Sequence, residues 1–124
     1  MILQESGEMY LETIYILSQK SNYVRAINVG EEMGYSKPSV SRAMSRLKAD
    51  GYVTTDENGY LFLTDKGLEV ATTMYERHTV LTEMLTRLGV DEKIAMEDAC
   101  RIEHVISSKS FDAVKRHMRA HPMD

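Results

Sequence analysis

Two β-prone runs, Tyr52-Val53-Thr54-Thr55 and Tyr60-Leu61-Phe62-Leu63, flank Asp56-Glu57-Asn58-Gly59 and constrain this chain more than any other feature. An Asn-Gly pair between two such runs predicts a β-hairpin. The segments on either side carry the period of helices, so the hairpin stands alone in a helical chain. Before it, residues 8–17 predict a helix continuing to about Lys20, with Met9 or Tyr10, Ile14 and Leu17 as its apolar stripe. Ser21-Asn22 reads as a turn, and Ile27 to Met33 as a short helix closed by Gly34. Ser36 is placed to cap the next helix, and Pro38 falls in its first turn, where a missing N–H costs nothing. That helix runs to about Asp50, with Val40, Met44 and Leu47 facing inward. A short helix, a glycine turn and a second helix make a helix-turn-helix, and the hairpin directly after it makes a winged helix. Beyond the hairpin, Thr64-Asp65 caps a long helix to about Leu88, Asp91 caps another through Ile106, and Ser110 caps a last short one ending near Pro122. The expected fold is mostly α: a winged helix-turn-helix over residues 1–64, then a helical domain over residues 65–124.

Charge is unevenly spread. The net charge is −4, yet Ser36 to Lys48 holds Lys37, Arg42, Arg46 and Lys48 and no acid, so this segment is +4 against −8 elsewhere. Such a chain is suited to touch phosphates with one element and bind cations with another. A helix N-terminus favours phosphate, and Ser36, Pro38, Ser39 and Ser41 are small enough to let the helix approach a major groove closely. Lys37, Ser39 and Arg42 are candidates for base edges or nearby phosphates, Arg46 and Lys48 for the backbone. A solvated basic face is the alternative reading. A winged helix also serves as a protein-interaction module, so the fold alone leaves the function open.

Composition narrows the rest. A hydrophobic content of 43% and a charged content of 27% are those of an ordinary globular protein. No apolar run approaches the ~18 residues of a membrane span. The N-terminus, Met-Ile-Leu-Gln-Glu-Ser-Gly-Glu, lacks the basic region and apolar core of a signal peptide, which makes the cytoplasm the default compartment. One cysteine leaves no intrachain disulfide. Nine methionines suit core and interface gaps. The helices 65–88 and 91–106 carry more apolar positions than a small winged helix covers. Val80, Leu81, Met84, Leu85, Ile94, Val105 and Ile106 are therefore expected between two subunits.

The lone cysteine sits in Ala99-Cys100-Arg101-Ile102-Glu103-His104, which puts Cys100, Glu103 and His104 at i, i+3 and i+4. On a helix these share a face, and thiolate, carboxylate and imidazole are transition-metal ligands. Chance spacing on an amphipathic helix produces the same triplet. A second cluster adds weight: Met9 and Glu12 share a face of the first helix, and His78 lies on the long helix. All six would meet if these three helices packed together. His117 and His121 lie near a frayed end without a partner pattern and are set aside. Cys100 and His104 side by side on a regular helix offer no cleft and no oxyanion donors, so an enzyme with a small-molecule substrate is not expected.

Four stretches carry a family resemblance: Glu8-Met9-Tyr10-Leu11-Glu12-Thr13-Ile14-Tyr15, Ser36-Lys37-Pro38-Ser39-Val40-Ser41, Asp50-Gly51-Tyr52-Val53 and Ala99-Cys100-Arg101-Ile102-Glu103-His104-Val105. In this order and spacing the chain resembles the diphtheria toxin repressor and manganese transport regulator family over essentially its whole length. The resemblance implies a cytoplasmic homodimer that binds palindromic operators when loaded with Fe(II) or Mn(II) and represses metal-uptake genes. It implies that the winged helix reads DNA, that the later helices dimerise, and that the metal takes ligands from both parts. The iron branch's site maps onto Met9, Cys100, Glu103 and His104, whereas the manganese branch usually has aspartate and glutamate at the first two. Glu12 and His78 match the manganese branch, so the site is mixed. The iron branch's second site expects glutamate and histidine where this chain has Thr82 and Met96, with Glu83 one position off. The SH3-like third domain of some members is not expected here. Co(II) and Ni(II) are the expected mimics. A repressor sensing another signal and an interaction module with a structural metal are the competing readings.

Overall fold

A computed structural model describes residues 5–121. The chain runs α1 (Glu5–Lys20), α2 (Ala26–Met33), α3 (Lys37–Ala49), β1 (Val53–Thr55), β2 (Leu61–Leu63), α4 (Asp65–Arg87), α5 (Glu92–Ile102) and α6 (Ser108–Ala120). It divides into two compact units, one ending at Thr72 and the other beginning at Thr73. No helix among the described residues is long and apolar enough to cross a membrane.

The first unit is a winged helix. α1 buries Tyr10, Leu11, Glu12 and Ile14, so Tyr10 rather than Met9 takes the core position. α2 ends at Gly34, whose N–H donates to the Gly30 carbonyl, and Ser36 caps α3 by accepting from the Ser39 N–H. α3 turns Val40, Met44 and Leu47 inward into the core they share with Leu11 and Ile14 of α1, Val29 of α2 and Leu61 of β2. The hairpin is antiparallel, with Val53 opposite Leu63 and Thr55 opposite Leu61. Its loop closes on Asp56, whose carboxylate accepts from the Asn58 and Tyr60 N–H groups at 2.9 Å each. Gly59 sits at φ 82°, the left-handed conformation this loop requires and glycine adopts without strain. β2 is also tied to the chain before α2, the Leu61 N–H donating to the Val24 carbonyl at 2.7 Å.

The second unit is helical. Leu81 of α4, Ala99 of α5 and Phe111 of α6 form its core, with Val80, Met84, Ile102, Ile106 and Val114 packed around them. Two expectations about its boundaries are corrected. The helix after Asp91 stops at Ile102 instead of Ile106. Turn bonds from the Val105 and Ile106 N–H groups to the Ile102 carbonyl then carry the chain into α6. α6 is capped by Ser107, whose hydroxyl accepts from the Ser110 N–H, so Ser110 donates to the cap and is not itself the cap. α6 runs 13 residues and is not a short terminal piece. The expected stop near Pro122 lies outside the described residues.

Candidate metal centre and nucleic-acid interface

α3 owes its surface to its period. With Val40, Met44 and Leu47 inward, Lys37, Pro38, Ser41, Arg42, Arg46 and Lys48 are all exposed. Arg46 is 72% exposed at its side chain and reaches Asp50 only at 4.0 Å, a loose pair in water. Ser36 and Ser39 are occupied locally: the Ser36 hydroxyl donates to Ser39 Oγ at 2.9 Å, and Ser39 is half-buried. Lys37, Ser41 and Lys48 line one flank, facing Thr55 and Gly59 of the hairpin across a cavity of about 630 Å³. Arg42 and Arg46 stand on the other exposed stripe, following the 100° step of the helix. Beneath α3, burial raises the Tyr10 phenol above its usual pKa, Tyr35 adds to the rise, and the Arg42 guanidinium opposes it. The hairpin flank was not singled out from sequence. Only the alignment of Lys37, Ser41 and Lys48 at helical spacing signalled it.

In the second unit three of the expected ligands come together. The Glu103 side chain is fully buried, with its Oε2 3.0 Å from His78 Nδ1. Its Oε1 lies 3.3 Å from His104 Nε2, and the His104 side chain is fully buried as well. His78, projecting from α4, keeps 26% of its side chain exposed. Glu103 is the C-cap residue of α5, and His104 follows in the turn. Glu103 keeps helical backbone angles, φ −57° and ψ −27°, and its N–H still donates to the Ala99 carbonyl. Cys100 is half-buried on α5, one turn earlier. Met9 and Glu12 belong to α1 in the first unit, Met9 half-buried and Glu12 buried. Among the second iron-branch positions, Met96 is 46% exposed and Glu83 is paired with Arg87 at 2.5 Å. A buried carboxylate between two imidazoles fits a divalent cation, since neutral imidazole and carboxylate are both good ligands for one. Arg77, beside His78, was missed. The signal was its place on the α4 stripe Ala71, Met74, Arg77, Leu81, where a core residue is due.

A winged helix with an exposed cationic helix, followed by a helical unit holding a buried carboxylate between imidazoles, is the arrangement expected of a DNA-binding regulator of the metal-responsive class. Residues 2–61 match the iron-dependent repressor N-terminal DNA-binding domain, and residues 64–122 match the iron-dependent repressor metal-binding and dimerisation domain. The chain belongs to this family of iron-dependent transcriptional repressors. It is 32% identical over 109 residues to the HTH-type transcriptional regulator MntR of Bacillus pumilus, covering 88% of this chain and 76% of that protein. MntR of Bacillus subtilis gives the same identity over 88% and 77%. The manganese regulator SloR superposes with a TM-score of 0.80 at 25% identity, covering 96% of this chain and 55% of that one. A manganese-dependent transcriptional repressor solved with manganese shares the fold, with a TM-score of 0.84 at 24% identity over 91% and 52%. The chain thus spans about half the length of these solved structures.

Proposed function

We propose that this chain is a metal-dependent repressor that binds a palindromic DNA operator as a cytoplasmic homodimer and controls metal-uptake genes in response to Fe(II) or Mn(II). The observation that carries this reading is the buried Glu103 carboxylate held between His78 and His104 in a chain whose α3 is cationic and exposed. His78, Cys100, Glu103 and His104 are the proposed ligands of the second unit. Met9 and Glu12 of α1 join them on the strength of residue type and the family resemblance. The DNA-binding part is assigned to residues 1–64 and the metal-binding and dimerising part to 65–124, with Ser36 to Lys48 as the reading segment. A bound divalent ion supplies positive charge against Glu12 and Glu103. The chain's own residues supply the rest: α3 presents Arg42 and Arg46 outward, Lys37 and Lys48 flank the hairpin, and the caps of α3 hold their spacing.

Operator binding with and without chelator tests the proposal. Operators are selected from a random library by the protein loaded anaerobically with Fe(II) or Mn(II), and affinity is then measured in both states. Tight binding only with metal is expected. Equal affinity in chelator identifies a repressor of another signal. No selected sequence at all points to an interaction module with a structural metal.

A further inference from the structure

Arg77 is the largest buried charge that the proposed ligand set leaves unused, at 8% exposure in the middle of α4. Burying a guanidinium is costly unless its N–H groups find acceptors; here both terminal nitrogens find them, while Nε has none among the described residues. Nη1 donates to the Glu103 carbonyl at 3.0 Å and to the Ile106 carbonyl at 2.8 Å. Nη2 donates to the Ser108 hydroxyl at 3.2 Å. The guanidinium carbon stands 5.5 Å from the centroid of the Phe111 ring. Both carbonyls lie in the turn where α5 has stopped and α6 has not begun. Carbonyls past a helix C-terminus lack intrahelical partners and carry the negative end of the helix dipole, so a cation is favoured there.

We propose, resting on the metal-centre reading above, that Arg77 is a positioning residue for that centre. It pins the backbone of Glu103, so that the Glu103 carboxylate and the adjoining His104 imidazole keep one placement relative to His78. α4 then grips Glu103 at both ends: the carbonyl through Arg77 and the carboxylate through the next residue, His78. The α5–α6 turn retains its own bonds without Arg77, including Glu103 N–H to the Ala99 carbonyl at 2.9 Å, but loses this tie to α4. Lysine at this position keeps the charge. Its single ammonium does not reproduce the planar fork that reaches two carbonyls and a hydroxyl together.

The test compares wild type, Arg77→Lys and Ser108→Ala, each titrated anaerobically with Co(II) alone while the visible d–d absorption is recorded. Urea unfolding of the metal-free proteins is measured in parallel. Groups that orient metal ligands affect affinity by ~10–100-fold, and Arg77→Lys is expected to weaken Co(II) binding by that factor and to alter the d–d bands. Ser108→Ala removes one hydrogen bond and is expected to weaken binding in the same direction by ~2–10-fold. Wild-type affinity and an unaltered spectrum in Arg77→Lys overturn the proposal, even if its urea midpoint falls, because that result describes a purely structural arginine. If Arg77→Lys does not fold, wild-type affinity and spectrum in Ser108→Ala overturn it. A wild type that takes up no Co(II) overturns the metal-centre reading itself, a result separate from any difference between variants.

Discussion

Cys100 stands half-buried on α5 one turn before Glu103, and its sulfur separates the proposed ligand set from an all-oxygen and nitrogen one. A thiolate at Cys100 and a thioether at Met9 are soft donors, from which Mn(II) gains least and Fe(II) and later metals gain more. Fe(II), with Co(II) and Ni(II) as mimics, is therefore expected to promote operator binding better than Mn(II). The double variant Met9→Asp, Cys100→Glu is expected to shift the ranking toward Mn(II). An anaerobic titration of operator binding with each metal checks both points, and an unchanged ranking in the double variant would refute the soft-ligand argument. On α3 the distinction is between stripes. Arg42 stands on the stripe away from the hairpin, while Lys48 flanks the cavity beside Thr55. Arg42→Ala is expected to relax sequence preference at one operator position by about 1–3 kcal/mol. Lys48→Ala is expected to weaken all sequences equally and to reduce the salt slope by about one. Parallel losses across an operator library would make Arg42 a phosphate contact only.

At the scale of elements, the junction between the hairpin and α4 is closely packed. Thr64 caps α4: its N–H donates to the Tyr52 carbonyl at 3.0 Å, its hydroxyl donates to the Gly51 carbonyl at 2.6 Å, and its Oγ1 accepts from the Gly67 N–H at 3.1 Å. The helix start is thereby pressed onto the Tyr52 peptide, and a Cβ on Gly67 would come 2.1 Å from the Tyr52 carbonyl oxygen. Backbone must move to admit it. Gly67→Ala is expected to cost about 2–3 kcal/mol, despite alanine's higher helix propensity, as read from urea denaturation. A gain in stability would show that the junction relaxes freely. Ser36→Ala, by contrast, removes a cap at an exposed helix end and is expected to cost about 1 kcal/mol.

At the scale of the molecule, the exposed apolar surface of the second unit differs from the surface expected between subunits. Leu81 is 1% exposed and belongs to the chain's own core, with Val80, Met84 and Ile106 packed against it. Leu88 and Val105, each 74% exposed, and Ile94 at 50% remain open. Ile94→Glu with Val105→Glu is expected to shift sedimentation toward monomer without loss of folding. Leu81→Ala is expected to cost about 2–5 kcal/mol of stability instead. A double variant that sediments as wild type would place the dimer surface elsewhere. The +4 segment in a chain of net −4 carries one further consequence. Operator affinity is expected to fall steeply between low and moderate salt, because phosphate contacts release counterions.

The elements were legible because their signals are local. Apolar period, the Ser36 cap, the Asn58-Gly59 turn and the Thr64-Asp65 start each act within a few residues, so α2, α3, the hairpin and the start of α4 stand where their residues put them. The cationic run on α3 and the pairing of Glu103 with His104 were visible for the same reason. Failures came where a distant partner competes with the local pattern. The apolar period through Val105 and Ile106 favours continuing α5. The chain nevertheless leaves the helix after Ile102, where Ser107 caps α6 and Arg77, 26 and 29 residues away, takes the Glu103 and Ile106 carbonyls. Helical period left Met9 or Tyr10 open for the apolar stripe of α1, and packing chose Tyr10, because burial depends on what α1 packs against. Arg77 went unremarked because an arginine on an apolar stripe reads as an exception until its acceptors are in place. Those acceptors are backbone carbonyls, which carry no sequence signature and exist as a set only once three helices have packed.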